Sequence, residues 1–413
     1  MTKKILLFIG ITLMLFMLPA CGAKKKSENT WVSSDVEFGE QDYEKITVAN
    51  NTLGFRLIQE IDGDEQNNAF VSPTSLLMAL SMVYNGADGI TKEEIAKALK
   101  IEGVDASELN KANASLVSML MKSSEEIQLN VANSIWLNEN YHFQEDFSKN
   151  NKDYFNAEIQ EINIHDNDSV TRINDWVKKS TNKKIEEIVE APLDPDLVAI
   201  LMNAIYFKGN WTYEFDEKQT EMRPFYLEDG NAKEVPLMTL QKDLNYMENE
   251  DFQAVQLPYG DGEMSMNVFL PKETSSLDEF TRNLTNENWL NWDAEFSKQE
   301  GAILLPKFQL EYEVDLNETL ETLGMPSAFK KDAVFTKMIQ EDVPLWISKV
   351  KQKTFIDVHE KGTEAAAVTS VEMVTESAPA NPPFYMEVNR PFFLTITDDK
   401  TNAILFMGWI SEP

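Results

Sequence analysis

The stretch "EKGTEAAAVTSVEMVTESAPANPPF", Glu360 to Phe384, decides the reading of this chain. Alternate residues from Thr363 (Thr363, Ala365, Ala367, Thr369, Val371, Met373, Thr375) carry no charge, and the first four are small. The interleaved set (Glu364, Ala366, Val368, Ser370, Glu372, Val374, Glu376) holds every carboxylate. A period of two with one uncharged face is a strand pattern, and Val368, Thr369, Val371, Val374 and Thr375 favour strand over helix. Pro379, Pro382 and Pro383 then break it. The small side chains anchor a core strand only weakly, so the segment is able to become a central strand without needing to be one. Gly362 at its root permits the backbone rotation that such a change requires. An exposed loop with an alanine-rich helical turn is the competing reading, and the surrounding residues decide between them.

Helical signals dominate the first half. Thr91 and Glu94 in "TKEEIAKALKI" have capping-box spacing, and "VDLNETLETLGMP" puts Leu316, Leu320 and Leu323 on one face before Gly324 and Pro326. Strand-like runs follow: "LVAILMNAIYFKG", "FQAVQLPYG", "MSMNVFLPK", "AILLPKFQLEYEV" and "NAILFMGWI", with Asp261-Gly262 reading as a hairpin turn. Helices early and strands later predict an α+β fold with large antiparallel sheets.

The 413 residues are 43% apolar, enough for a sizeable core. Lys and Arg number 37 against 69 Asp and Glu, a formal charge of −32, which argues against a nucleic-acid partner. At the N-terminus, Lys3 and Lys4 precede an apolar run from Ile5 to Leu18, which is short for a membrane span and fits a signal-peptide core. "LPAC" (Leu18–Cys21) resembles the lipobox of bacterial lipoproteins. That resemblance implies a signal peptide over 1–20, cleavage before Cys21 and lipidation of its thiol. Cys21 is the only cysteine, so no internal disulfide can form. Residues 21–42 read as a polar tether, with Lys24, Lys25 and Lys26 placed for anionic headgroups. The expectation is an extracytoplasmic protein, lipid-anchored to the bacterial cell membrane.

Catalytic patterns are missing. His142, His165 and His359 stand in no H-E-x-x-H spacing, and there is no G-x-S-x-G elbow. "DGDEQN" (Asp62–Asn67) lacks the glycine and distal glutamate of a calcium loop. The chain does not read as an enzyme, and no metal or cofactor is expected.

"EKGTEAAAVTS" resembles the hinge of the reactive loop in serpins. Other serpin-like motifs stand in order: "FVSPTSLLMALSMVYNGADGITKEEIAKAL" (Phe70–Leu99), "INDWVKKSTNKKIEEIV" (Ile173–Val189) and "LMNAIYFKGNWTYEF" (Leu201–Phe215). "LPKFQLEYEVDLNETLETLGM" (Leu305–Met325) and "NRPFFLTITDDKTNAILFMGWISEP" (Asn389–Pro413) complete the series. The resemblance implies one domain over 43–413 with three β-sheets, eight to nine helices and an exposed reactive loop at about 360–384. It implies a monomer that inhibits serine endopeptidases, and in some members cysteine proteases, by suicide: the cleaved loop inserts as a strand and the protease stays trapped. A non-inhibitory binding or scaffold serpin is the alternative, and bulky, charged or proline residues on the inward face of the hinge would signal it.

By the same resemblance Gly362, Thr363, Glu364, Ala365, Ala366 and Ala367 are the hinge. Ser72, Ser75 and Asn203 match a polar cluster beneath the sheet opening, and Trp211 matches the tryptophan where the loop enters. Ser72 also reads as a helix cap ahead of Pro73. Gln352 stands where many serpins place histidine, and Lys183 stands where "TNGKI" has glycine. Counting from Glu360 puts the reactive bond at Glu376-Ser377; counting back from "NRPF" puts it near Ala380-Asn381. Glu376 points to a glutamyl endopeptidase. The small neighbours also suit elastase-like and subtilisin-like enzymes.

Overall fold

Short-range signals build the helices, and strand alternation sorts what they cover. The structure is a computed structural model that describes residues 31–121, 126–363 and 382–413. Its first part comprises α1 (Glu44–Ile58), β1 (Ala69–Val71), α2 (Pro73–Tyr84), α3 (Gly89–Leu99) and α4 (Ala106–Leu120). Next come β2 (Ile127–Asn138), α5 (Glu145–Phe155), β3 (Glu158–Ile162), α6 (Asn167–Ser180) and β4 (Ala199–Asn210). Strands then predominate: β5 (Glu221–Tyr226), β6 (Ala232–Glu248), β7 (Phe252–Tyr259) and β8 (Met264–Pro271). After α7 (Leu277–Arg282) and α8 (Asn286–Glu295) come β9 (Ser297–Pro306), β10 (Phe308–Asp315) and α9 (Asn317–Leu323). The chain closes with β11 (Lys349–His359), β12 (Gly362–Thr363), β13 (Phe384–Glu387), β14 (Phe392–Asp398) and β15 (Ala403–Ile410).

The strands form a six-stranded sheet, ordered β10-β11-β12-β4-β2-β3, and a nine-stranded one, ordered β1-β15-β14-β8-β7-β6-β9-β13 with β5 on β6. The larger sheet is continuous only through β6. That strand pairs with β5 near its start, β9 along its middle and β7 at its end. Dividing β6 recovers three sheets, and the α+β expectation stands with nine α-helices among the described residues.

The six-stranded sheet is covered on both faces, which is why every residue from Ala199 to Phe207 is buried. In front, Ile173 and Val177 of α6 pack with Trp136, Met202 and Phe355. Behind lies α2, buried on every side. Ser72 caps it, accepting from the Ser75 amide at 3.2 Å, and Pro73 opens its first turn. Gly324, in left-handed conformation at φ 117°, ends α9 as its sequence predicts.

The capping box expected at Thr91 and Glu94 does not form. Asp88 caps α3 three residues earlier, because the turn preceding it already supplies an extended residue with a carboxylate. Thr91 instead bonds the Ser327 hydroxyl at 3.0 Å and accepts from the Val334 amide, and Glu94 accepts from the Ser327 amide. Both tie down the segment after α9. Lys183 takes a left-handed φ of 67°, which accounts for glycine being the easier residue there.

Behind the sheet opening, β1 lies against β15 with Phe70 opposite Gly408, and this pairing delivers Ser72 to the top of α2. A Cβ at 408 would run into the Ala69 carbonyl and stand 2.8 Å from the Phe70 Cα. Gly408→Ala therefore pushes β1 off the sheet, with an expected loss of about 2–3 kcal/mol of stability. Urea denaturation checks this; an unchanged midpoint would show that the strand has room to shift.

Candidate functional site

β4 and β11 lie side by side in parallel from Ile200–Lys349 to Ile205–Thr354. Above that point they part. The chain leaving β11 turns back at Glu360 and Lys361 and starts β12 in the gap, antiparallel to both. Gly362 faces His359 and Asn210; Thr363 faces Val358 and Gly209. Gly362 has φ 153°, and a Cβ there would strike the Gly209 carbonyl, so the position excludes any side chain.

Thr363 is 1% exposed, and its hydroxyl lies 2.6 Å from the phenol of Tyr259. Burial pushes that phenol far above its usual range, so it stays a neutral hydrogen-bonding group. Trp211 stacks on Tyr259 at 4.4 Å, and its indole N–H donates to the His359 carbonyl at 2.9 Å. Trp211 thus ties β11 to the floor of the gap. The Trp211 and Phe215 amides donate to the carbonyls of Lys361 and Glu360.

Glu360 is the second tie. Lys307 Nζ donates to one carboxylate oxygen and the Thr220 hydroxyl to the other, each at 2.9 Å. Burial works to raise this carboxyl's pKa; the Lys307, backbone and Thr220 hydrogen bonds outweigh it and hold the group below its ordinary value. Lys307, Thr220 and Tyr259 were not foreseen in the sequence. Each is one residue in an unrelated strand or turn, and only the sheet order brings them to Glu360 and Thr363.

Roughly 20 Å further down, six residues along β11, lies a polar cluster. Gln352 and Asn203 are register partners across β11 and β4. Gln352 Nε2 donates to Asn203 Oδ1 at 2.9 Å and to the Ser72 carbonyl at 3.0 Å, while the Ser72 amide donates to Gln352 Oε1 at 2.9 Å. Asn203 Nδ2 donates to the Ser75 carbonyl at 3.0 Å, to Asn133 Oδ1 at 2.7 Å and to the Ser75 hydroxyl. Asn133 is a further member that the sequence alone did not single out. All five side chains are buried, and none titrates.

Ser72, Ser75, Asn203 and Gln352 therefore come together in one cluster, and Trp211, Gly362 and Thr363 in another. Glu364, Ala365, Ala366, Ala367, Glu376 and Ser377 lie outside the described residues, as do Cys21 and the Ala380-Asn381 alternative. Among the described residues no group of His, Cys, Asp or Glu side chains could hold a metal ion.

Replacing Gln352 by Leu strands the buried Ser72 amide and takes one donor each from Asn203 Oδ1 and the Ser72 carbonyl, which keeps the Leu76 amide. A loss of about 3 kcal/mol is expected, since a buried group left unpaired forfeits 1–3 kcal/mol. Guanidinium titration of Gln352→Leu checks this, and a stable variant would show that the cluster is redundant.

Comparison with known proteins bears on the family and the fold. The family model described as "Serpin (serine protease inhibitor)" matches residues 48–413. An uncharacterised serpin-like protein of Methanosarcina mazei is 33% identical over 378 residues, covering 89% of this chain and 87% of that one. Iripin-2 of Ixodes ricinus is 32% identical, covering 90% of this chain and 94% of its own. The native structure of tengpin, a thermophilic serpin, superposes with a TM-score of 0.84 at 33% identity, covering 92% of this chain and 97% of tengpin. Human thyroxine-binding globulin complexed with thyroxine has a TM-score of 0.81 at 24% identity over 90% of this chain and 99% of its own, a likeness of fold alone. By sequence and by fold, the chain belongs to the serpin family.

Proposed function

We propose that this serpin is a suicide-substrate inhibitor of serine endopeptidases. The observation that carries the reading is β12: the first two hinge residues already stand between β4 and β11, with Thr363 buried on Tyr259. A protease attacks the loop as substrate and its own nucleophile becomes acylated. Cleavage frees the hinge to extend as an added strand.

The register begun by Thr363 supports this reading. Continued unchanged, it brings Thr369, six residues on, between Gln352 and Asn203. Insertion must part that amide pair, and the Thr369 hydroxyl is the right group to replace the broken bond. The intervening inward positions, Ala365 and Ala367, bring neither charge nor bulk. Each is inexpensive to bury, so insertion competes with hydrolysis of the acyl-enzyme.

The proposed targets follow the bait residues: a glutamyl endopeptidase for Glu376, with elastase-like and subtilisin-like enzymes served by the small neighbours. Cys21 is proposed as a lipid anchor outside the cytoplasm, on the strength of "LPAC" alone.

Incubation with a panel of serine proteases tests the function. An SDS-stable complex is expected, and cleavage without any complex would favour a non-inhibitory serpin. Thr363→Arg puts a guanidinium against Tyr259 and is expected to convert inhibitor to substrate, raising the inhibitor consumed per protease by roughly tenfold or more. Unchanged stoichiometry would rule out insertion through this gap. Mass spectrometry of the fragment released from the complex reads the bait bond. A start at Ser377 fits the count from Glu360, a start at Asn381 the distal count, and a start upstream of Val374 neither.

A further inference from the structure

His359 occupies the last position of β11, directly across from Gly362 of the hinge. Its carbonyl holds Trp211, but its imidazole has a separate contact: the Lys361 amide donates to His359 Nδ1 at 3.3 Å. A ring nitrogen accepts only when it carries no proton. The Lys361 amide belongs to the two-residue turn that sends the chain back into the gap, and the Lys361 carbonyl accepts from the Trp211 amide at 3.0 Å. A neutral His359 therefore closes this turn, and an imidazolium would set N–H against N–H.

We propose that His359 is a proton-sensitive catch on the hinge: the neutral imidazole keeps Gly362 and Thr363 docked between β4 and β11, and protonation lets them go.

The charged groups around the ring fix the direction. Burial lowers its pKa below the ordinary 6.5, the Lys307 and Lys361 ammonium groups lower it further, and the Asp357 and Glu360 carboxylates work against them. The docked hinge thus favours the neutral ring, while a released hinge returns the ring toward water and its ordinary value. Docking is fully present above about pH 6.5 and weakens as the pH falls below it. Glu360 does not compete in this window, because its carboxyl is held below its ordinary value and stays charged. Gln352 and the rest of the lower cluster do not titrate, so the pH response is confined to the top of the gap.

Amide hydrogen exchange on the full chain without protease tests the catch independently of inhibition. After correction for intrinsic exchange, protection of Lys361–Thr363 is expected to fall roughly five- to tenfold from about pH 7.5 to about pH 5.5. Amides of β2 serve as the internal reference and should hold. His359→Asn places a non-titrating oxygen near the Nδ1 position and should keep protection high at both pH values; His359→Leu, with no acceptor, should be low at both. A wild-type hinge whose protection ignores pH overturns the proposal, as does His359→Asn showing the same fall. Should His359→Leu fail to fold, the asparagine variant alone decides.

Discussion

The molecule depends on the seam between β4 and β11. Two central strands of a sheet ordinarily satisfy each other along their full length, because an unpaired backbone group buried between them is costly. Here they do so only in the lower half, from Ile200–Lys349 to Ile205–Thr354. At the top of the gap two borrowed residues, Gly362 and Thr363, pair with both strands. Everything nearby serves that arrangement: Trp211 and Tyr259 floor the gap, Glu360 is clamped by Lys307 and Thr220, and Gln352 and Asn203 close the seam below.

The two ends of the seam are built from different chemistry. At the top the ties are ionic and aromatic, with Glu360 and His359 responsive to their charged surroundings. The lower ties are amides and hydroxyls in a dry interior, where a charge would have to be solvated by the protein itself. Gln352 fits the lower environment: it donates and accepts at once, and it keeps the Ser72 cap and the β4 strand in one network. Parting Gln352 from Asn203 would leave both amides short of a partner unless another polar group took its place.

Much of this was legible in the residues, for reasons that differ by element. The Ser72 cap with Pro73, the Gly324 stop and the strand-like apolar runs of β7, β8 and β15 are short-range patterns, so sequence reading finds them. The cluster of Ser72, Ser75, Asn203 and Gln352 was legible only through family resemblance, since nothing local brings positions so far apart together. Lys307, Thr220, Tyr259 and Asn133 escaped because each earns its place from the sheet order alone. Thr91 and Glu94 show the opposite failure: their spacing suited a cap, but the neighbouring segment after α9 competed for the same oxygens and won.

The placing of the last three strands has a consequence for what a cut would mean. β14 is hydrogen-bonded between β8 and β15, and β13 pairs with β9 while Phe384 stacks on Tyr246 at 4.3 Å. A peptide bond broken upstream of Phe384 leaves this C-terminal piece embedded by pairing and burial alone. The piece would stay with the body without a covalent link, held by the same strand pairing that positions it in the intact chain.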